Sequence, residues 1–369
     1  MGTADIGLPV GSLGALRRGS VATVLLVFGF LSLLLLLILV GVDWVLSTRA
    51  FPAALPIVVG LAFLFLLLQW LLAPAIVRWA IRGRSPVTPE SNPWLFRTVR
   101  ELAAQARVPF PRIYMADDPT PNAFVFGRTT RSSNLVVTRG LLERLSQDEI
   151  RAVLAHEVGH LRHRDVIIMT WVSAVPLLAY ILARVGFEVL RGSSRVRVKG
   201  KGSEGVAAAI LASILVALVS YLIYLVTQLL VLYLSRTREY YADAYSAAAT
   251  RDPHLLASAL TKIAYGLSLA RKDANPSGLR AFYIGDPVKA ADDYQTLHER
   301  MGRYDIDRDG QIDAYELEKA LEEERQNPWR RANELFRTHP PTYKRILMLE
   351  QMEEEIKRGG LPANVYEFV

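Results

Sequence analysis

The sequence predicts a mainly α, multi-pass membrane protein that carries one α+β domain outside the bilayer. Three observations predict this class. Of the 369 residues, 51% are hydrophobic, and the mean hydropathy is positive, +0.21. Uncharged runs long enough to cross a bilayer recur along the chain. Between them lie stretches patterned as amphipathic helices and short strands.

The first run, "VATVLLVFGFLSLLLLLILVGV" (21–42), carries no charge and spans a bilayer at about 1.5 Å per helical residue. The second, "FPAALPIVVGLAFLFLLLQWLLAPAIV" (51–77), follows a short polar break, so 1–82 reads as a transmembrane hairpin. A second run there, in place of a small-residue cleavage site, marks a retained anchor rather than a removed signal peptide. "RWAIRGRSPVTPESNP" is a basic, then Pro/Ser-rich link. The domain 83–165 has helical spacing of Leu95, Val99 and Leu102, then three strand-like stretches, "RIYMAD", "NAFVFG" and "NLVVTRG". Ser146 followed by Glu149 is a capping box, and Ile150, Val153, Leu154, Val158 and Leu161 form the apolar face of the helix it starts.

That helix points straight at a third apolar run (166–183), interrupted by Pro176 and closed by Arg184 and Glu188. A fourth run (206–234) completes a second hairpin, 166–234. Its helix is long enough to leave the bilayer and continue through "SRTREYYADAYSAAAT". Segments 235–290, 291–326 and 327–369 complete the chain, and no internal repeat is visible.

The net charge is +7 and the isoelectric point about 9.5. The arginines cluster at span ends, which favours membrane-edge charge over nucleic-acid binding. Arg17 and Arg18 precede the first run and Arg78, Arg82 and Arg84 follow the second, whereas the intervening loop holds Arg49 and Asp43. This places the water-facing domain on the cytoplasmic side of the plasma membrane. The loop 191–205, with Arg191, Arg195, Arg197, Lys199 and Lys201, runs against that rule if the third and fourth runs cross fully. A full crossing is still the preferred reading, because later spans can escape the bias set by the first.

No cysteine is present, so a transition metal can be held only by His, Asp or Glu. "HEVGHLRHRD" (156–165) offers such groups. His156 and His160 stand at i and i+4, about 40° apart on a helix, and can aim two imidazoles at one zinc ion. Glu157 projects beside them, placed to act as a general base on a water without being a ligand. A catalytic zinc needs a third protein ligand, and two residues compete. His163 would make one straight helix supply every ligand, which crowds the ion. Glu239, in "REYYAD", is the better candidate, because Glu239 and Asp243 share a face of another helix. Asp243 would then orient a ligating histidine by accepting its other N–H.

"AVLAHEVGHLRHRDV", "SRTREYYADAYSA", "PNAFVFG" before "NLVVTRGLL", and "LFRTHPPTYKRI" together resemble the HtpX-type integral-membrane zinc metalloproteases, kin of the CAAX prenyl proteases, over about 92–349. The resemblance implies a zincin-like (gluzincin) catalytic domain with His156, His160 and Glu239 on zinc and Glu157 as base. It implies that Asn122, Ala123 and Phe124 lie on an edge strand that holds extended substrate. It also implies catalytic roles for His339 and Arg345, which match the HPPxxxR pattern, with the histidine near the reacting carbonyl, where a cation or N–H donor would stabilise an oxyanion. Polypeptides, misfolded or membrane-associated, are the implied substrates.

"DIDRDGQIDAYE" (305–316) is not explained by that resemblance and reads as an EF-hand inserted within 291–326. Asp305, Asp307, Asp309, Gln311, Asp313 and Glu316 fall at the calcium-ligand positions, with Gly310 at the sharp turn. The reading is therefore a membrane zinc endopeptidase, modulated through calcium. The alternatives are a CAAX-type prenyl-protein endoprotease and a non-proteolytic, calcium-responsive membrane scaffold or chaperone.

Overall fold

The computed structural model describes residues 20–34, 36, 51–81, 83–193, 203–269 and 335–357. The candidate calcium loop, Asp305, Asp307, Asp309, Gln311, Asp313 and Glu316 included, lies outside the described residues. The chain divides into two units, one of Met1–Gly19, Ala73–Ile167 and Leu232–Val369, the other of Ser20–Leu72 and Ile168–Val231.

The second unit is drawn from four apolar helices: α1 (Ser20–Leu34), α2 (Phe51–Ala80), α6 (Asp165–Ser193) and α7 (Ser203–Thr250). Leu34, Ala179 and Ile223 meet in a buried cluster with Phe30, Leu182, Val219 and Tyr224 around it. Leu25, Phe63, Leu72, Leu215 and Leu222 remain exposed. Such apolar area suits lipid and would be an aggregation surface in water. The segments Asp165–Arg184 and Ser213–Thr250 are long and apolar enough to cross a membrane. Pro176 does not end α6, which runs through it; apolar helices tolerate such a residue because neighbouring groups can satisfy the freed carbonyl.

In the other unit a four-stranded sheet has the order β1-β2-β4-β3. β2 (Arg112–Ala116) runs parallel to β4 (Asn134–Thr138), and β3 (Ala123–Phe126) is antiparallel to β4. β1 (Arg84–Pro86) pairs antiparallel with β2, within the stretch whose composition predicts a link. Its three residues are all exposed, so no alternation of apolar and polar side chains announces the strand.

Helices α3 (Pro93–Ala106), α5 (Gln147–Arg162) and α8 (Pro253–Leu269) share a core through Leu95, Val99, Leu102, Val153, Leu154, Leu256 and Leu260. Short α4 (Arg139–Arg144) leads from β4 into α5, and α9 (Thr342–Lys357) adds Ile346, Leu349 and Met352 to the same core. The capping box holds, since Ser146 Oγ accepts from the Glu149 N–H and Glu149 Oε2 accepts from the Ser146 N–H.

The helix of the HEVGH motif does not run straight on into the third apolar run. α5 stops at Arg162, His163 caps it, and Arg164 takes a left-handed φ of 59° before α6 begins at Asp165.

Candidate metal centre

Two helices meet at the site through a glycine. A Cβ on Gly159 would lie 3.1 Å from Tyr245 Cδ1 and 3.2 Å from the Ala242 Cα, so α5 and α7 approach nearly backbone to backbone. Ser246 Oγ donates to the Ala152 carbonyl at 2.7 Å and locks that approach. Glu239, three residues before Ala242 on α7, is thereby set against the histidines of α5.

His156 Nε2 and His160 Nε2 are 3.2 Å apart. Glu239 Oε2 lies 3.7 Å from the first and Glu239 Oε1 lies 3.6 Å from the second. Ligands at about 2.0–2.1 Å in a tetrahedron stand about 3.3 Å from one another, so the three side chains sit at metal-ligand spacing. His156, Glu157 and His160 also qualify together as a metal-holding group, with their ligand atoms within 4.8 Å.

The protons agree with this geometry. His160 Nδ1 is 2.8 Å from Asp165 Oδ2. His156 Nδ1 is 2.9 Å from Asp243 Oδ1, a close contact too bent for a full hydrogen bond. The tautomer with its proton on Nδ1, facing a carboxylate on each histidine, is the one that leaves both Nε2 lone pairs free for a metal. The charge count points the same way, because Glu239, Asp243 and Asp165 face two arginines, Arg345 and Arg238. Burial pushes His160 down to about 3, with the charge of His156 acting in the same direction and Glu239 opposing it. A neutral imidazole is the form that ligates.

Glu157 is buried beside the histidines, and its carboxylate accepts the backbone N–H of Val125 on β3. Burial, aided by the charge of Glu239, pushes this carboxyl well above the usual range, so it holds a proton readily. β3 is one of the two edge strands of the sheet, the other being β1. Asn122 is buried; its carbonyl accepts from the Thr138 N–H at 3.0 Å and its N–H donates to Thr138 Oγ1 at 2.8 Å. By the antiparallel alternation, the backbone groups of Phe124 then face β4 while those of Ala123 and Val125 point to the open edge.

His339 is buried, with Nδ1 3.3 Å from Glu239 Oε1 and Nε2 without a hydrogen-bond partner among the described residues. Arg236 steadies the approach to it by donating to the carbonyls of Leu335 at 3.1 Å and Arg337 at 2.9 Å. Arg345, 1% exposed, grips Asp243 through two nitrogens at 2.6 and 2.8 Å and stands 3.3 Å from Glu239 Oε2.

His163 lies off the centre, its ring 5.3 Å from that of Tyr241. Motif reading missed Asp165, Arg236 and Arg238. Asp165 reads from sequence as the polar edge of a span, but it is buried against His160; only its place in "HRD", right after the motif, hinted at more.

A family model, "Peptidase family M48", matches residues 89–353. The chain is 34% identical to a "Protease HtpX homolog" of Aeropyrum pernix over 303 residues, 82% of this chain and 86% of that one. It is 32% identical to a namesake from Bifidobacterium longum over 287 residues, 77% of each chain. Among solved structures, the crystal structure of S. mikatae Ste24p matches with a TM-score of 0.47 and 18% identity, covering 87% of this chain and 62% of that one. The paired histidines of α5 facing an acid of α7 lie inside the region the family model matches, and the chain belongs to peptidase family M48, as a metalloendopeptidase of the HtpX type.

Proposed function

We propose that His156, His160 and Glu239 hold a catalytic zinc ion and that Glu157 is the general base for peptide-bond hydrolysis. The observation that carries this reading is the meeting of three side chains, with the two Nε2 atoms 3.2 Å apart and the carboxylate oxygens of Glu239 3.6 and 3.7 Å from them. When bound, zinc polarises a carbonyl and lowers the pKa of a coordinated water to roughly 7.

The chain's own residues do the rest. Glu157, desolvated and held by the Val125 N–H, takes a proton from the attacking water and returns it to the leaving amine. His339 offers its unpartnered Nε2 to the developing oxyanion. The outward backbone groups of the β3 edge, at Ala123, receive an extended polypeptide as an added strand beside Asn122 and Phe124. Asp243 orients His156, and Arg345 holds Asp243 in place.

The substrates are misfolded or membrane-associated polypeptides, as in membrane protein quality control. Support comes from the apolar helices that share the chain with the site and from relatives named as HtpX homologues. The protein is a multi-pass protein of the plasma membrane with this site on the cytoplasmic side. The loop 305–316 binds calcium and tunes the activity.

Metal content and casein cleavage of purified wild type, Glu157→Gln and Glu239→Ala test the assignment. Glu157→Gln is expected to retain zinc with a loss of cleavage of about a hundred- to ten-thousandfold, and Glu239→Ala to lose zinc. Full cleavage by Glu157→Gln would sink the base. For calcium, Glu316→Gln at constant bound zinc is expected to abolish any change of rate on adding Ca²⁺; a response that survives removes the loop from the account.

A further inference from the structure

We infer that Asp165, backed by Arg238, is a positioning residue of the metal centre that fixes His160 in its ligating tautomer. The inference rests on the ligand set proposed above. Its basis is a pattern repeated on the two histidines. His156 Nδ1 meets Asp243, which Arg345 grips; His160 Nδ1 meets Asp165, 2.8 Å away, which Arg238 grips. Both members of the second pair are buried, Asp165 at 5% exposure and Arg238 at 8%. A buried ion pair of this kind has a desolvation cost that geometry must repay.

The backbone is arranged for this contact. Asp165 follows His160 by five residues, so in an unbroken helix it would point about 140° away from it. The left-handed turn at Arg164, φ 59°, ends α5 and swings Asp165 back to the imidazole. For a non-glycine residue that conformation is strained. The turn is itself secured, because Arg238 Nη2 donates to the His163 carbonyl at 2.6 Å while its guanidinium lies 5.4 Å over the Tyr241 ring. Arg238 immediately precedes Glu239 on α7, so one helical turn supplies both a metal-facing carboxylate and the holder of the second histidine's partner.

The chemical consequence is specific. With Asp165 accepting from Nδ1–H, the His160 proton cannot move to Nε2, and the lone pair stays aimed at His156 Nε2 and Glu239. The competing role is that of an acid in the first turn of α6, which would favour the helix dipole. That role would affect stability and leave metal affinity untouched.

The test uses the full chain in detergent micelles, stripped of metal and titrated with Zn²⁺ against a chromophoric chelator. Asp165→Ala is expected to weaken zinc binding ten- to a hundredfold and to shift the visible bands of the Co²⁺-substituted protein. Asp165→Asn, whose side-chain carbonyl can still accept from Nδ1–H, is expected to lose less, and Arg238→Gln to lose affinity in the same direction. Wild-type zinc affinity in Asp165→Ala, with Glu239→Ala devoid of zinc, overturns the positioning role alone. Wild-type affinity in Glu239→Ala as well overturns the ligand set and this inference with it. If Asp165→Ala does not fold, Arg238→Gln carries the test, and an unchanged affinity there overturns the inference.

Discussion

Arg345 shows how much a single buried charge governs at this site. Burial alone would lower its pKa, but the charge and hydrogen bonds of Asp243, with Glu239 beyond, raise it above even its ordinary value. The HPPxxxR pattern groups it with His339, and in the structure it donates to both carboxylate oxygens of Asp243. Arg345→Gln would leave two carboxylates buried without their cation, and is expected to destabilise the protein by about 3–5 kcal/mol, read by denaturant unfolding. Glu149 acts in the same manner at the far end of α5. Burial opposes its charge, yet Lys262 at 2.5 Å, Ser258 at 2.6 Å and the Ser146 N–H bring its pKa down to about 2. A carboxyl depressed in the folded state stabilises above its unfolded value near 4.5, and that stability drains away as pH falls towards 2. Wild type is therefore expected to exceed Glu149→Gln in stability by about 1–3 kcal/mol at pH 7, the gap narrowing steadily between pH 5 and pH 3.

At the scale of elements, the meeting of α5 and α7 decides whether a ligand set exists. Alanine at position 159 would gain up to about 1 kcal/mol of helix propensity. Its Cβ, however, would press on the Ala242 Cα and the Tyr245 side chain at 3.1–3.2 Å, and backbone cannot step aside as a flexible side chain can. Gly159→Ala is thus expected to be net destabilising by at least about 1 kcal/mol and to weaken zinc binding by parting Glu239 from the histidines, as a chelator competition would show. The capped start of α5, its apolar face and the long α7 were legible from spacing and length. The break at Arg164 was not, because no glycine, proline or asparagine signals a left-handed residue there. Strand β1 escaped notice for a related reason: three exposed residues carry no periodicity.

For the whole molecule, the site is built from distant pieces of chain. α5, α7 and the segment at His339 converge, while α6 and the apolar first part of α7 separate His160 from Glu239 in sequence. A metal that ties α5 to α7 should stabilise the fold in proportion to its affinity. Adding a strong zinc chelator is expected to lower the melting temperature of wild type by several degrees and to leave that of Glu239→Ala unmoved. Equal shifts in both proteins would place the stabilising metal elsewhere.

By itself the sequence determined the residue types and the local periodicities: the paired histidines, the acid between them, the capping box, the apolar runs and the HPPxxxR segment. These depend on spacings within one element, which a linear pattern records. Only the tertiary structure decided that Glu239 stands 3.6–3.7 Å from the histidines, that His163 turns away to Tyr241, and that Asp165 turns inward to His160. Those outcomes rest on a glycine-sized gap between two helices and on one left-handed residue, and packing between segments far apart in sequence leaves no period for a pattern to carry.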